Sequence, residues 1–406
     1  MSLWDQFGLP MQGAQYLDKV SALPFRGLNL IWNEWFRDQD LQDSLPVALG
    51  DGPDDLADYT IQRIGKYKDY FSTMRPAPQK GPSVEVPLLG NAPVLGIGKG
   101  TQTFPGPSGT VYESNGAATN YVDAAQINPG GADTSFWIRG TGATGYPSVY
   151  ADLSNAAGAT INQFREAVTV QQMYELDMRG GTRYIEMIYN HFGVVNPDFR
   201  LQRPEFLGYQ RSMVNIHPIA QNSETATTPQ GNLAAFGTVS TSNGFVKSFT
   251  EFGYVFGLMA VRSDLSYQEC LDRHWSRQTR FDYYYPTFAN LGEQAVLNQE
   301  WWTNPSAATG NEDVAGYQEA WAEYRFKTSK VTGLFRSNAA GTLDAWHLAQ
   351  DFASLPTLGP AFIEENAPLD RCIAVPGEPH FIFDSIVENV TARAMPMYSA
   401  PGLMRI

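Results

Sequence analysis

A chain of 406 residues with a formal net charge of -14 is long enough to enclose a large core, and its acidity excludes a protein that coats nucleic acid over its whole surface. Only 17% of residues are charged while 13% are aromatic, and the 37 Gly and 26 Pro suit short strands joined by long structured loops better than a helical bundle. There is no run of about 18 apolar residues and no signal-peptide pattern, so neither membrane insertion nor export by that route is expected, and Cys270 and Cys372 read as free thiols in a reducing cytoplasm.

Residues 1–22 are loop-like, with Gly8-Leu9-Pro10 as a breaker. Between Leu23 and Asp43, Leu28, Ile31, Trp32, Trp35 and Phe36 recur at three- and four-residue spacing. This predicts a helix that starts near Pro24 and buries that stripe, with Asn33, Glu34, Arg37, Asp38 and Gln42 on its other faces. Acidic residues gather from Asp38 to Asp58, and the sign then reverses at Arg63, Lys66, Lys68, Arg75 and Lys80, an asymmetry open to subunit contacts or to plain solvation. After the turn at Asp51-Gly52-Pro53, Tyr59, Ile61, Ile64, Tyr67 and Tyr70 alternate with polar residues as in a strand or an irregular extended segment.

Residues 81–150 break the composition, with thirteen Gly, seven Pro and six charged residues in 70 positions. A loop of this length is functional or disordered, and the aromatic supply of Phe104, Tyr112, Tyr121, Phe136, Trp137 and Tyr146 argues against plain disorder. Helical spacing returns at Ile161, Phe164, Val168 and Leu176 and stops at Gly180-Gly181; a second helix fits Tyr184 to Phe192, closed by Gly193. Strands are expected around Val214 to Ile219, over Phe245 to Val261, where continuous apolarity predicts burial on both faces, over Trp321 to Leu334, and as a terminal pair at Cys372 to Val375 and Phe381 to Val390. The stretch Leu271 to Leu297 is rich in Arg and aromatic residues. Without βαβ alternation, the chain reads as mainly β: an antiparallel sandwich with helices and long loop insertions.

No catalytic or metal constellation emerges. Gly96-Ile97-Gly98-Lys99-Gly100-Thr101 lacks the helix and acidic partner of a phosphate cradle, and Gly106-Pro107-Ser108-Gly109 lacks the spacing of a nucleophile elbow. The five histidines are scattered away from metal-ligand spacing. An oxygen-rich loop at Asp51 to Asp58 leaves calcium open without supporting it. No catalytic residue, cofactor or metal ligand is therefore assigned. Arg273, Trp275, Arg277 and Arg280 are candidates for a DNA-facing surface or a subunit interface, since Arg and aromatic side chains serve both.

Longer strings carry a more specific signal. Ile31-Trp32-Asn33-Glu34-Trp35-Phe36-Arg37-Asp38-Gln39, Arg179-Gly180-Gly181-Thr182-Arg183-Tyr184, Leu201-Gln202-Arg203-Pro204-Glu205, Leu291-Gly292-Glu293-Gln294-Ala295-Val296-Leu297-Asn298 and Trp346-His347-Leu348-Ala349-Gln350-Asp351-Phe352 resemble, in order along nearly the whole chain, blocks of the major capsid proteins of microviruses in their gokushovirus branch. The resemblance implies a jelly-roll β-sandwich that self-assembles into an icosahedral shell around single-stranded DNA, with other virion proteins as partners, made in the bacterial cytoplasm and residing in the virion. It divides the chain into the start of the capsid domain at 1–80, a surface insertion at 81–150, and the rest of the same domain at 151–406. The insertion would form a three-fold protrusion that meets a host cell-surface receptor through Phe104, Tyr112, Tyr121, Trp137 and Tyr146. Related capsid proteins carry a segment ahead of the part matching Met1 that supplies early jelly-roll strands, so this chain is expected to be without them. The competing reading is a β-sandwich carbohydrate-binding or carbohydrate-active protein, which would gather titratable residues in one pocket.

Overall fold

A computed structural model describes residues 3–10, 20–85, 94–95, 97–98, 109–112, 118–121, 124–127, 136–139, 149–151, 160–195, 203–227, 229–231, 233–303, 310–373 and 377–393. The chain opens with a short helix, α1 (Leu3–Gln6), and then α2 (Leu23–Ile31), with Pro24 in its first turn. From Trp32 to Phe36 the helix widens into a π turn, and the chain leaves it at Arg37. The expected apolar stripe is therefore only partly sunk. Phe25, Asn29 and Trp32 are buried, whereas Trp35 remains 42% exposed. Asn29 is inside because its Nδ2 donates to the carbonyls of Pro46 (3.0 Å) and Asp58 (3.1 Å), tying the loop that follows back onto α2. Arg26 completes that clip through a two-pronged ion pair with Asp54, whose carboxylate also accepts from the Tyr59 hydroxyl.

The main core forms around residues 69–75. Asp69 Oδ1 accepts from the backbone of Phe71 (3.1 Å) and Ser72 (2.7 Å), and the resulting turn points Tyr70, Phe71 and Met74 inward onto Tyr267, Val296, Trp301, Ala322, Phe362 and Ile363. Tyr267 is a hub: its ring meets Phe71 edge-on at 5.0 Å, and its hydroxyl donates to Asp69 Oδ2 at 2.6 Å. A smaller cluster of Leu3, Phe25 and Tyr59 joins α1 to α2.

Between residues 94 and 151, β1 (Val94–Leu95), β2 (Ile97–Gly98), β3 (Gly109–Tyr112), β4 (Ala118–Tyr121), β5 (Ala124–Ile127), β6 (Phe136–Arg139) and β7 (Tyr150–Ala151) make short antiparallel pairings. β3 pairs with β4, β6 lies between β2 and β5, and β1 pairs with β7 through Val94↔Ala151 and Leu95↔Tyr150, closing the excursion at its base. The chain returns in α3 (Ile161–Gly180). Thr160 and Gln163 form a reciprocal capping box at its start, as the Thr-x-x-Gln spacing allows. α4 (Tyr184–Phe192) ends at Gly193, whose φ of 66° is the left-handed conformation a helix stop needs.

β8 (Asn215–Ala220) and β9 (Leu233–Thr238) form an antiparallel hairpin, as do β10 (Glu293–Leu297) and β11 (Val314–Glu319), which flank α5 (Asn298–Trp301). Gly316 in β11 is required by close approach, because a Cβ there would lie 2.9 Å from Leu358 Cδ2 and 3.1 Å from the Arg75 carbonyl. α6 (Ala322–Arg325) and α7 (Pro360–Ile363) complete the helices.

Several strand expectations need correction. Residues 245–261 form no strand among the described residues, and most of their apolar side chains, Phe252 above all, face solvent. The same holds for 381–390, where Ile382 and Val390 are fully exposed, so the predicted terminal pair with 372–375 does not form among described residues. Continuous apolarity signals burial only if partner strands are present to cover it. The stretch 321–334 holds α6 and a 3₁₀ turn at Gly333–Phe335 in place of a strand. The architecture is mixed, with small antiparallel sheets; a closed sandwich is not formed by the described residues.

Candidate functional site

The Arg- and aromatic-rich stretch folds as short 3₁₀ turns laid over the β10–β11 hairpin. Leu271 N–H donates to Gln299 O (3.0 Å) and Thr303 N–H to Glu269 O (2.9 Å), which fixes its start against α5. The first turn, Arg273–Ser276, turns its arginine inward. Arg273 Nη1 donates to Ala295 O at 2.7 Å and to Glu300 Oε1 at 3.0 Å. Glu300 is nearly sealed from solvent at 3% exposure and also accepts from Leu297 N–H and the Tyr70 hydroxyl. Burial raises its pKa, and the nearby Arg273 charge opposes that rise.

Arg277 is likewise turned in. Its Nη2 donates to Glu323 Oε1 at 3.1 Å, and its guanidinium sits 4.5 Å from the Tyr324 ring centre and 5.2 Å from that of Tyr283. The second turn, Arg280–Asp282, is closed by Asp282 Oδ2, which accepts from the backbone of Thr279 (2.7 Å) and Gln278 (3.0 Å) and from the Thr279 hydroxyl, lowering the Asp282 pKa. Arg280 is exposed and lies over Phe281 at 4.8 Å. Trp275 is 71% exposed and packs against His274, ring centres 4.7 Å apart and planes tilted by 39°.

The structure thus separates the four predicted residues into two kinds. Arg273 and Arg277 are ion-paired supports, while Trp275 and Arg280 are presented to solvent. Around them Phe281, Tyr283, Tyr284, Tyr285, Tyr324 and Phe326 are also exposed. Residues 271–291 and 320–330 hold six Lys or Arg against three Asp or Glu, a local basic surplus in an acidic chain. Beneath this surface lies a cavity of about 300 Å³ bounded by Arg277, Phe281, Leu291, Leu297 and Trp321. Trp321 holds a left-handed backbone (φ 69°), fixed by donation from its Nε1 to Phe288 O at 2.8 Å and from its N–H to Gln294 Oε1 at 3.2 Å. Sequence reasoning missed Trp321, Tyr324, Glu300 and Glu323 as parts of this surface. Their pairing with the 271–291 stretch spans tens of residues and leaves no local pattern.

Of the insertion residues, Tyr112, Tyr121 and Trp137 lie on paired strands, with Tyr112 opposite Ala118, Tyr121 opposite Gly109, and Trp137 opposite Gln126 and Gly98. Phe104 and Tyr146 lie outside the described residues. Among the described residues no three His, Cys, Asp or Glu side chains gather as metal ligands, and no helix is long and apolar enough to cross a membrane. In the Asp51 to Asp58 loop, Asp54 is engaged by Arg26 and Tyr59, and Asp55 caps the following turn.

The family model for phage capsid protein (F protein) matches residues 1–403. The chain belongs to this capsid family. Among similar proteins, capsid protein VP1 of Chlamydia phage 1 is 41% identical over 100% of this chain and 78% of its own length. Capsid protein VP1 of Bdellovibrio phage phiMH2K is 43% identical over 99% of this chain and 76% of its own, and that of Spiroplasma virus 4 is 36% identical over 96% and 74%. Within this family the broad aromatic and basic surface is the feature to explain.

Proposed function

We propose that this chain is the major capsid protein of a small icosahedral phage and that it self-assembles into a shell enclosing single-stranded DNA. The match of the capsid family model to residues 1–403 carries this reading. Expression in bacteria, followed by electron microscopy and nuclease digestion, tests it: uniform particles that protect single-stranded DNA are expected, and a dispersed protein with no particles in any condition would overturn it.

In this reading the fold is a jelly roll completed when 245–261 and 381–390 pair with strands supplied from outside the described residues. Support comes from their uncovered apolar side chains. The insertion is the outer, host-contacting element, a role supported by its composition and by the β1–β7 pairing that sets it apart at its base.

The surface around Trp275 and Arg280 faces the packaged strand. Exposed rings that stack on bases, together with a local basic surplus, are what sequence-tolerant binding of single strands uses. Arg280→Ala should lower the salt slope by about one, and Trp275→Ala should weaken binding by roughly 1 to 3 kcal/mol. Arg273→Ala and Arg277→Ala should instead cost stability, because both support the fold through carboxylates, buried at Glu300 and half-buried at Glu323. The density of exposed rings also favours a second reading, a seat for a neighbouring subunit. Unchanged DNA binding with impaired assembly would select it.

A further inference from the structure

Tyr67 carries two guanidinium groups at once. The Arg211 Cζ lies 4.6 Å from its ring centre and the Arg262 Cζ 5.0 Å, so the two charges stand no farther apart than these distances laid end to end, about one Debye length at ordinary salt. Cations that close repel each other, and a single carboxylate answers them: Asp264 Oδ1, 3.6 Å from Arg211 Nη2. Arg262 makes no hydrogen bond and no ion pair among the described residues. Other arginines laid over rings differ in this respect, since Arg203 over Trp35 has Glu34 at 3.6 Å and Arg277 over Tyr324 has Glu323 at 3.1 Å.

The backbone holds this arrangement in place. Lys66 N–H donates to Ile363 O and Glu365 N–H to Ile64 O, both at 2.7 Å, and Ser263 Oγ donates to Glu365 Oε1 at 2.9 Å. The segments that carry Tyr67 and Arg262 are therefore tied to the same stretch, 363–365. Lys66 turns inward over Phe362 and is buried, whereas Tyr67, next in the chain, is half-buried. Arg262 is half-buried too: its Nε is sealed, but Nη1 and Nη2 are not, and the Arg211 side chain is 55% exposed. The atoms a ligand can reach are thus the outer ends of the guanidinium groups, the donors that phosphate oxygens take in pairs.

We propose that Arg211 and Arg262, braced on Tyr67, bind the phosphodiester backbone of single-stranded DNA, with phosphate oxygens accepting from Arg262 Nη1 and Nη2 and from the exposed end of Arg211. An anion supplies the charge that the chain itself does not place there. The proposal rests on the reading of the chain as a shell around that strand, and it adds to the aromatic surface at Trp275 a contact that does not distinguish one base from another.

The test measures binding of fluorescent oligo(dT), and of an abasic oligonucleotide of the same length, to the unassembled protein across a salt series for the wild type, Arg211→Gln, Arg262→Gln and Arg262→Lys. Each Gln variant should lower the salt slope by about one and weaken both oligonucleotides by the same factor, because a phosphate contact carries no base information. Arg262→Lys keeps the charge and should keep the slope, so the slope reports charge at the site and not lost packing on Tyr67. Arg211, the more exposed of the two, decides the matter if Arg262→Gln does not fold. Unchanged slopes in the Gln variants, with particles that still protect DNA, would overturn the site and leave the shell reading intact. Unchanged slopes with particles lost in the variants alone would give the pair to an acidic side chain of a neighbouring copy, and overturn the site likewise. A wild type that neither binds DNA nor forms particles would overturn both readings together.

Discussion

Replacing Arg179 by Met cuts the link between α3 and the β10–β11 hairpin, and the cost can be worked out from the geometry. Arg179 Nε donates to Glu293 Oε1 at 3.0 Å, Nη2 to Glu293 Oε2, and Nη1 to Gln318 Oε1 at 2.7 Å. The Glu293 side chain is 6% exposed and that of Arg179 23%. Removing one partner of a buried pair costs about 3 to 5 kcal/mol, and the partial exposure of Arg179 places this case near the lower end, about 3 kcal/mol. In Arg179→Met/Glu293→Gln the stranded charge is gone, so part of that loss should return.

Burial holds the Glu293 pKa above its ordinary 4.5, against the pull of Arg179. Without Arg179 it should rise further. A carboxyl whose folded pKa exceeds its unfolded value binds protons more tightly when folded, so stability falls as pH climbs through the interval between the two values. The Arg179→Met deficit in urea unfolding, followed by tryptophan fluorescence, should therefore shrink as pH falls from 7 toward 4.5. A deficit under about 0.5 kcal/mol, the scale of an ordinary surface change, or one that stays constant with pH, would refute the argument.

Asp54 is held at about 2 by its hydrogen bonds from Arg26 and Tyr59, below its ordinary 3.8. Its contribution is thus present above 3.8 and lost as pH falls through about 2, and NMR titration of the α2 clip should show that step vanish in Asp54→Asn. Tyr267→Phe leaves Asp69 Oδ2 without its buried donor and should cost about 2 kcal/mol in the same unfolding assay; a neutral result would mean that water replaces the hydroxyl. Replacing residues 96–149 by Asn-Gly joins Leu95 to Tyr150 across an existing antiparallel pair, so particles should still form while adsorption to host cells is lost. Amide exchange in 245–261 and 381–390 should be fast in the unassembled chain and slow in particles, and fast exchange in both would count against strand completion.

Local signals were read well from the sequence. The Gly180-Gly181 stop and the Gly193 stop close α3 and α4 because the chemistry of a helix end is contained within a few residues, and the Thr160-x-x-Gln163 capping box, a signal of the same local kind, went unread. Signals that depend on distant partners were not. The apolar run 245–261 reads the same whether its partner strands are present or absent, and Trp35 reads as core although the π turn carries it toward Pro204, whose carbonyl accepts from its Nε1 at 2.9 Å. The candidate surface divides along the same line. Arg273, Trp275, Arg277 and Arg280 stand together in sequence, but only the positions of Glu300 and Glu323, 27 and 46 residues away from their partners, decide which of the four reach solvent.

The two-residue pairing of β1 with β7 has an evolutionary corollary. Leu95 and Tyr150 are neighbours whatever runs between them, so the 54 positions from 96 to 149 can drift, lengthen or be exchanged wholesale without moving the ends that the rest of the chain must hold. On the proposed reading of this segment as the outer, host-contacting element, selection on it and selection on the rest of the chain are uncoupled: a lineage changes what it adheres to by recombining one cassette.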